Sequence, residues 1–166
     1  MSRKIVNIII HCSDSAWGCV REIRNWHLRR GWKDIGYHFV ILNGYPTPPS
    51  PPLSKGGMGG YVPVLDGSIE CGRYLDEDLL VEPNEVGAHT LGYNASSIGV
   101  CLIGEEDFTS SQFVALMSLL RNLMEIYHLT PDRIFGHCET ESGKKEGKTC
   151  PNFDVSKIRD ELREAK

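Results

Sequence analysis

Lys4 to His11 is a short run rich in isoleucine and valine, bounded by polar residues, and it sets the terms for what this chain can become. Such a run reads as a buried β-strand. His11 stands at its C-terminal end, where open α/β sheets tend to place their sites. Two further runs have strand character: Tyr37 to Leu42, which alternates aromatic and aliphatic residues, and Ser97 to Ile103, which is β-branched and aliphatic. Ser68 to Tyr74 is a shorter strand, and Pro131 to Phe135 leads into a last one ending at Gly136 and His137. Helical periodicity lies between and after them. Val20 to Arg30 puts Val20, Ile23, Trp26 and His27 on one face and arginines on the other, with Gly31 as its stop. Ser110 or Ser111 caps a long amphipathic helix to about Tyr127, with Phe113, Leu116, Leu120 and Met124 along one side. Asp154 to Ala165 forms a C-terminal helix with a charged outer face. Asp76 to Leu80 is a helical turn, and Pro83 to Asn94 a polar loop. Strands alternating with helices, plus hairpin-like pieces, predict an α/β chain with one mixed central sheet flanked by helices.

The pattern breaks between Asn43 and Gly67. Pro46, Pro48, Pro49, Pro51, Pro52 and Pro63 fall here, with Gly56, Gly57, Gly59 and Gly60. Prolines cannot join a ladder, and glycines leave the backbone loose. Strand-like sequence resumes on both sides, so residues 43–67 read as an insertion loop inside one domain spanning residues 1–166. A length of 166 residues is about one domain.

Lys+Arg 18 against Asp+Glu 22 leaves no basic excess, which argues against a protein that holds nucleic acid through its phosphates. No apolar stretch approaches the ~20 residues of a membrane span. The run after Arg3 and Lys4 is too short for a signal-peptide core. The expectation is therefore cytoplasmic synthesis, a monomer, and six cysteines kept as thiols. Cys12 and Cys101, in or beside strands, read as buried thiols.

Residues 136–151 bring an imidazole (His137), a loop rich in glycine and lysine, and a thiol (Cys150) with Lys148 two residues before it. With His11 they make three ligands of the kind zinc takes, and three protein ligands leave a fourth position open, as in catalytic sites. Hydrolysis is the expected chemistry.

Several segments then fall in a familiar order. Ile-Ile-His-Cys-Ser (9–13), Arg-Glu-Ile-Arg-Asn-Trp-His (21–27) and Gly-Trp-Lys-Asp-Ile-Gly-Tyr-His-Phe-Val-Ile (31–41) form the first half. Residues 87–104, from Gly-Ala-His-Thr to Leu-Ile-Gly, and Lys-Thr-Cys-Pro-Asn-Phe-Asp (148–154) form the second. Together they resemble the type 2 N-acetylmuramoyl-L-alanine amidases, a group that includes the lysozymes of T-odd phages and shares its fold with the peptidoglycan recognition proteins. The resemblance covers nearly the whole chain apart from the insertion. It implies one Zn2+ held by His11, His137 and Cys150, with Tyr37 and Lys148 assisting. It implies cleavage of the amide between N-acetylmuramic acid and the L-alanine of the stem peptide. It further implies that His89, and with it Asn94, lies where substrate passes. The partner is then peptidoglycan or a muropeptide. The cell wall is reached after release of the protein, or muropeptides are cleaved in the cytosol; phage lysin, recycling enzyme and delivered effector are all open.

Each residue also has a plainer reading. A histidine at a strand end is commonly a hydrogen-bonded structural residue, a thiol before proline a buried one, Tyr37 a sheet residue, Lys148 a solvated one. Asn94 can simply hold its loop. His38 should face away from Tyr37 and read as structural. Three other functions stand beside the amidase: a peptidoglycan-binding module without catalysis, a zinc hydrolase of another amide, and a structural zinc domain recruiting Cys12 or Cys138 as fourth ligand. Lys144 and Lys145 are either contacts for stem-peptide carboxylates or part of a solvated loop.

Overall fold

The computed structural model describes residues 3–48, 60–73 and 78–164. Five strands form one sheet: β1 (Asn7–Cys12), β2 (Phe39–Asn43), β3 (Asp66–Cys71), β4 (Ser97–Leu102) and β5 (Ile134–Gly136), in the order β3-β2-β4-β1-β5. β1 runs parallel to β4 and β5, β2 parallel to β4, and only β3 is antiparallel to its neighbour. Among the described residues four α-helices accompany them: α1 (Val20–Arg29), α2 (Ser110–Tyr127), α3 (Glu141–Lys145) and α4 (Val155–Glu164). The expected mixed sheet flanked by helices is what forms.

Both faces of the sheet are covered, which is why the central strands read as unbroken apolar runs. Ile8 and Ile10 of β1, Phe39 and Ile41 of β2, and Ile98, Val100 and Leu102 of β4 meet Leu116, Leu119, Leu120 and Leu123 of α2 and Ile158 and Leu162 of α4. On the opposite face Val40, Leu42, Cys101 and Ile103 pack with Val20 and Ile23 of α1 and with Ile35. Each fully buried aliphatic side chain contributes about 1.5–3 kcal/mol over its exposed state. Ile9 and His11 alternate with Ile8 and Ile10, so their side chains share the α1 face.

Several boundaries shift. β2 begins at Phe39, two residues after Tyr37, because the His38 N–H pairs with the Gly99 carbonyl before the regular ladder starts. α2 is capped by Thr109 rather than Ser110 or Ser111. Its hydroxyl accepts from the Gln112 N–H at 3.0 Å while Gln112 Oε1 accepts from the Thr109 N–H at 3.0 Å, a reciprocal capping box. α3 stands where the sequence suggested only a loop. The middle of the 43–67 excursion, residue Tyr74 of the expected third strand, and residues Asp76 and Glu77 of the expected turn lie outside the described residues. The described ends of the excursion meet: the Val62 N–H donates to the Gly44 carbonyl at 2.7 Å, and the rings of Tyr45 and Tyr61 lie 5.0 Å apart.

Gln112 is buried, and its amide nitrogen donates to the carbonyls of Ile41 at 3.2 Å and Ile103 at 2.8 Å, tying the start of α2 to the ends of β2 and β4. Gln112→Leu removes the side-chain donor to the Ile103 carbonyl and leaves the Ile41 carbonyl with the Ile103 N–H alone. The expected result is a loss of about 1–3 kcal/mol in urea denaturation, with metal binding intact.

Candidate active site

The register of β1 against β5 sets Ile10 opposite Gly136, so His11 on β1 and His137 just past the end of β5 emerge side by side at the carboxyl end of the sheet. Their ring centroids are 4.6 Å apart. Just past β5 the chain makes a single 3-10 turn, His137–Glu139, and the Cys138 N–H donates to the Cys150 carbonyl at 2.9 Å. That bond draws the Cys150 segment against His137. From the other side, the Cys12 N–H points at Cys150 Sγ at 3.0 Å. The result is one cluster: a ligand nitrogen of His11, one of His137 and the sulfur of Cys150 all lie within 4.8 Å of one another. Neither Cys12 nor Cys138 joins that three-residue cluster.

Two further devices hold His137. Thr140 Oγ1 donates to the His137 carbonyl at 2.7 Å and accepts from the Gly143 N–H at 3.0 Å, starting α3. α3 crosses so close that a Cβ on Gly143 would sit 1.9 Å from the His137 carbonyl oxygen, so only glycine fits. Glu139 accepts two bonds of 2.8 Å from Arg159 of α4 and one of 2.7 Å from the Gly136 N–H, clamping the turn to α4.

The donor set suits zinc. Burial holds the His11 ring well below the usual imidazole pKa, reinforced by His89 and His137, and burial followed by the charge of Lys148 lowers His137. Both rings are therefore neutral, as metal ligation requires. Contact with the Cys12 side chain and burial push the Cys150 thiol up, so its proton leaves readily only when a cation replaces it. Two imidazole nitrogens and a sulfur gathered this closely are a donor set that would hold zinc.

Tyr37 stands beside the cluster, its ring 5.1 Å from that of His11. Burial, then the neighbouring thiols Cys101, Cys150 and Cys12, raise its phenol well above the usual value, so it keeps its proton. Lys148 Nζ is 3.5 Å from Glu146 Oε2, with both side chains about half exposed. An exposed pair of this kind is worth about 0–1 kcal/mol, so the ammonium moves away from it at little cost.

The His89 ring is buried behind His11, with His89 Nδ1 3.0 Å from His11 Nε2. Asn94 faces inward too: its Oδ1 accepts from the N–H groups of His89 at 2.8 Å and Thr90 at 2.9 Å. Arg3 braces the same loop through the carbonyls of Glu85, Asn94, Ala95 and Ser97. His38 is structural, as expected; its Nε2 meets the Glu85 carbonyl at 2.7 Å and its Nδ1 accepts from the Gly99 N–H at 2.9 Å. Thr90, Ser97 and Arg3 escaped the sequence reading, since they lie at strand edges or in loops without periodicity. Cys12, a buried thiol as read, meets Cys150 through both its backbone N–H and its side chain.

Comparison with known proteins places this arrangement among relatives. Residues 72–153 match the N-acetylmuramoyl-L-alanine amidase family. The endolysin of Klebsiella phage KP32 is 35% identical over 161 residues, covering 90% of this chain and 82% of that protein. The endolysin of Escherichia phage T7 is 34% identical over 161 residues, with 90% and 82% covered. Among solved structures, the N-acetylmuramoyl-L-alanine amidase LysC from Clostridium intestinale URNW superposes with a TM-score of 0.68 at 28% identity, covering 97% of this chain and 87% of that one.

Proposed function

The chain belongs to the N-acetylmuramoyl-L-alanine amidase family, and from that premise we propose that it is a zinc-dependent peptidoglycan hydrolase cutting the amide between N-acetylmuramic acid and the L-alanine of the stem peptide. The observation that carries the reading is the cluster itself: two neutral imidazoles and one thiol, their ligand atoms within 4.8 Å of one another, at the carboxyl end of a largely parallel sheet. His11, His137 and Cys150 would hold the ion. When bound, zinc supplies Lewis acidity and brings a water to a pKa of about 7.

The chain's own residues supply the rest. As the amide carbon becomes tetrahedral, its oxygen takes on negative charge and needs donors. The Tyr37 phenol, held protonated by burial, donates a hydrogen bond to it. Lys148, loosely paired to Glu146, brings an ammonium to the same oxygen and a proton to the departing amine. The cover of α1 on this face keeps His11 out of bulk water and shields Tyr37 in part, which strengthens both interactions.

All 166 residues serve as one amidase domain in this proposal, with residues 43–67 as an excursion from it. Among the described residues no helix is long and apolar enough to cross a membrane. The endolysin relatives support a phage-type lytic role: synthesis in the cytoplasm, action on the cell wall. We propose a monomer: the three ligands and both assisting residues of the proposed site need no partner chain to complete it. The test is digestion of purified sacculi followed by mass spectrometry. New amino-terminal L-alanine and intact lactyl ends on the glycan are expected. Cleavage within the stem peptide or the glycan, with those ends absent, would overturn the assignment.

A further inference from the structure

The ring of His89 is only 7% exposed and takes no part in the chemistry above. It lies in a line of polar groups that begins at a backbone carbonyl and ends at His11. The direction of every bond in that line can be read from its far end. Ser97 Oγ is 2.8 Å from the Tyr93 carbonyl, which can only accept. The hydroxyl proton therefore points there, and the Ser97 oxygen faces His89 Nε2, 3.3 Å away, as an acceptor. His89 then carries its proton on Nε2 and presents the lone pair of Nδ1. That lone pair meets His11 Nε2 at 3.0 Å, so His11 carries its proton on Nε2 as well. The one ring nitrogen of His11 left with a lone pair is Nδ1.

Thr90 Oγ1, 3.1 Å from His89 Nδ1 and 3.3 Å from His11 Nε2, can share the His11 Nε2 proton as a second acceptor, and it opposes neither assignment. The opposite directions would require Ser97 to abandon the Tyr93 carbonyl. They would also leave His11 protonated on Nδ1, with no lone pair free for a metal. The fold makes room for the line deliberately. A Cβ at Gly99, in the middle of β4, would lie 2.6 Å from Cγ of the His89 ring, so that strand position is kept bare for it.

We propose that His89, oriented by Ser97, is a positioning residue that fixes His11 as the Nε2–H tautomer and so dedicates its Nδ1 to the metal. The role rests on the zinc reading of the cluster, and it gives the buried ring of His89 a function distinct from substrate contact. A ligating histidine whose second nitrogen is held in this way is more basic and better oriented, and loss of the holding group typically weakens metal binding about 10–100-fold.

Two measurements test it. In zinc-free, 15N-labelled protein, long-range proton–nitrogen spectra should show both His11 and His89 as neutral Nε2–H tautomers. A His11 proton on Nδ1 would overturn the proposal, whether or not zinc binds. Zinc affinity, read by competition with a chromogenic chelator, should fall about 10–100-fold in His89→Leu. It should stay near the wild-type value in His89→Asn, whose side-chain oxygen takes the place of Nδ1 as acceptor. Unchanged affinity in His89→Leu would sink the idea even if activity were lost. Failure of the wild-type protein to bind zinc would refute the metal reading alone, since the zinc-free spectra still decide the tautomer. If His89→Leu does not fold, the wild-type spectra decide.

Discussion

Cys150→Ser is expected to remove amide hydrolysis almost entirely, by about a thousandfold or more. The serine hydroxyl is a far poorer zinc ligand than a thiolate, and the Lewis acidity at stake is worth several kcal/mol, each 1.36 kcal/mol being tenfold in rate. The substitution is nearly isosteric, and the Cys12 N–H that now faces the sulfur at 3.0 Å can face the hydroxyl instead. The fold should therefore survive. Zinc should raise the thermal midpoint of the wild type, because a ligand at about a thousand times its dissociation constant adds about 4 kcal/mol. The same addition should leave Cys150→Ser nearly unmoved. A variant that kept wild-type turnover, or a wild type whose melting ignored both zinc and chelator, would remove the metal from the account.

Tyr37→Phe and Lys148→Ala should strike the rate and spare the metal. Removing one donor from a developing oxyanion typically costs about 3 kcal/mol, so each variant should lose about a hundredfold or more in kcat. Zinc affinity should hold in both, because neither side chain belongs to the ligand cluster. The double variant should lose less than the product of the two single losses if the groups act on one oxygen as a unit. Lys148→Ala also removes a positive charge that lowers the His137 pKa, so the His137 ring should titrate somewhat higher in the zinc-free variant. Loss of zinc in Tyr37→Phe would instead make the phenol part of the metal scaffold.

Much of this was legible along the chain, because the strong signals are local. Ile5 to Ile10 and Ser97 to Ile103 are apolar enough to be strands wherever they sit, and α2 announces itself by the spacing of Leu116, Leu120 and their neighbours. His11 at a strand end and Cys150 after Lys-Thr are recognisable as chemistry-bearing residues in their segments. What stayed hidden was short or directional. α3 is five residues containing a glycine, too brief for periodicity to register, and it forms because Thr140 caps it against the His137 carbonyl. The Thr109 cap was missed because serines at 110 and 111 offer equally good hydroxyls, and only the Gln112 partnership selects among them. His89 and Asn94 were marked as important, yet a polar loop does not say which way its side chains point.

Local composition and pattern thus determined that the chain is α/β and offered His11, His137 and Cys150 as candidate ligands, while the family resemblance added Tyr37 and Lys148 beside them. Backbone propensity and side-chain chemistry are properties of a residue and its near neighbours, and they survive without tertiary context. Only the tertiary structure decided that strand register sets His11 beside His137, that Cys12 and Cys138 reach Cys150 through backbone groups, and that His89 turns inward. Those are contacts between segments up to about 140 residues apart, and a hydrogen bond has a direction only once both of its ends are in place.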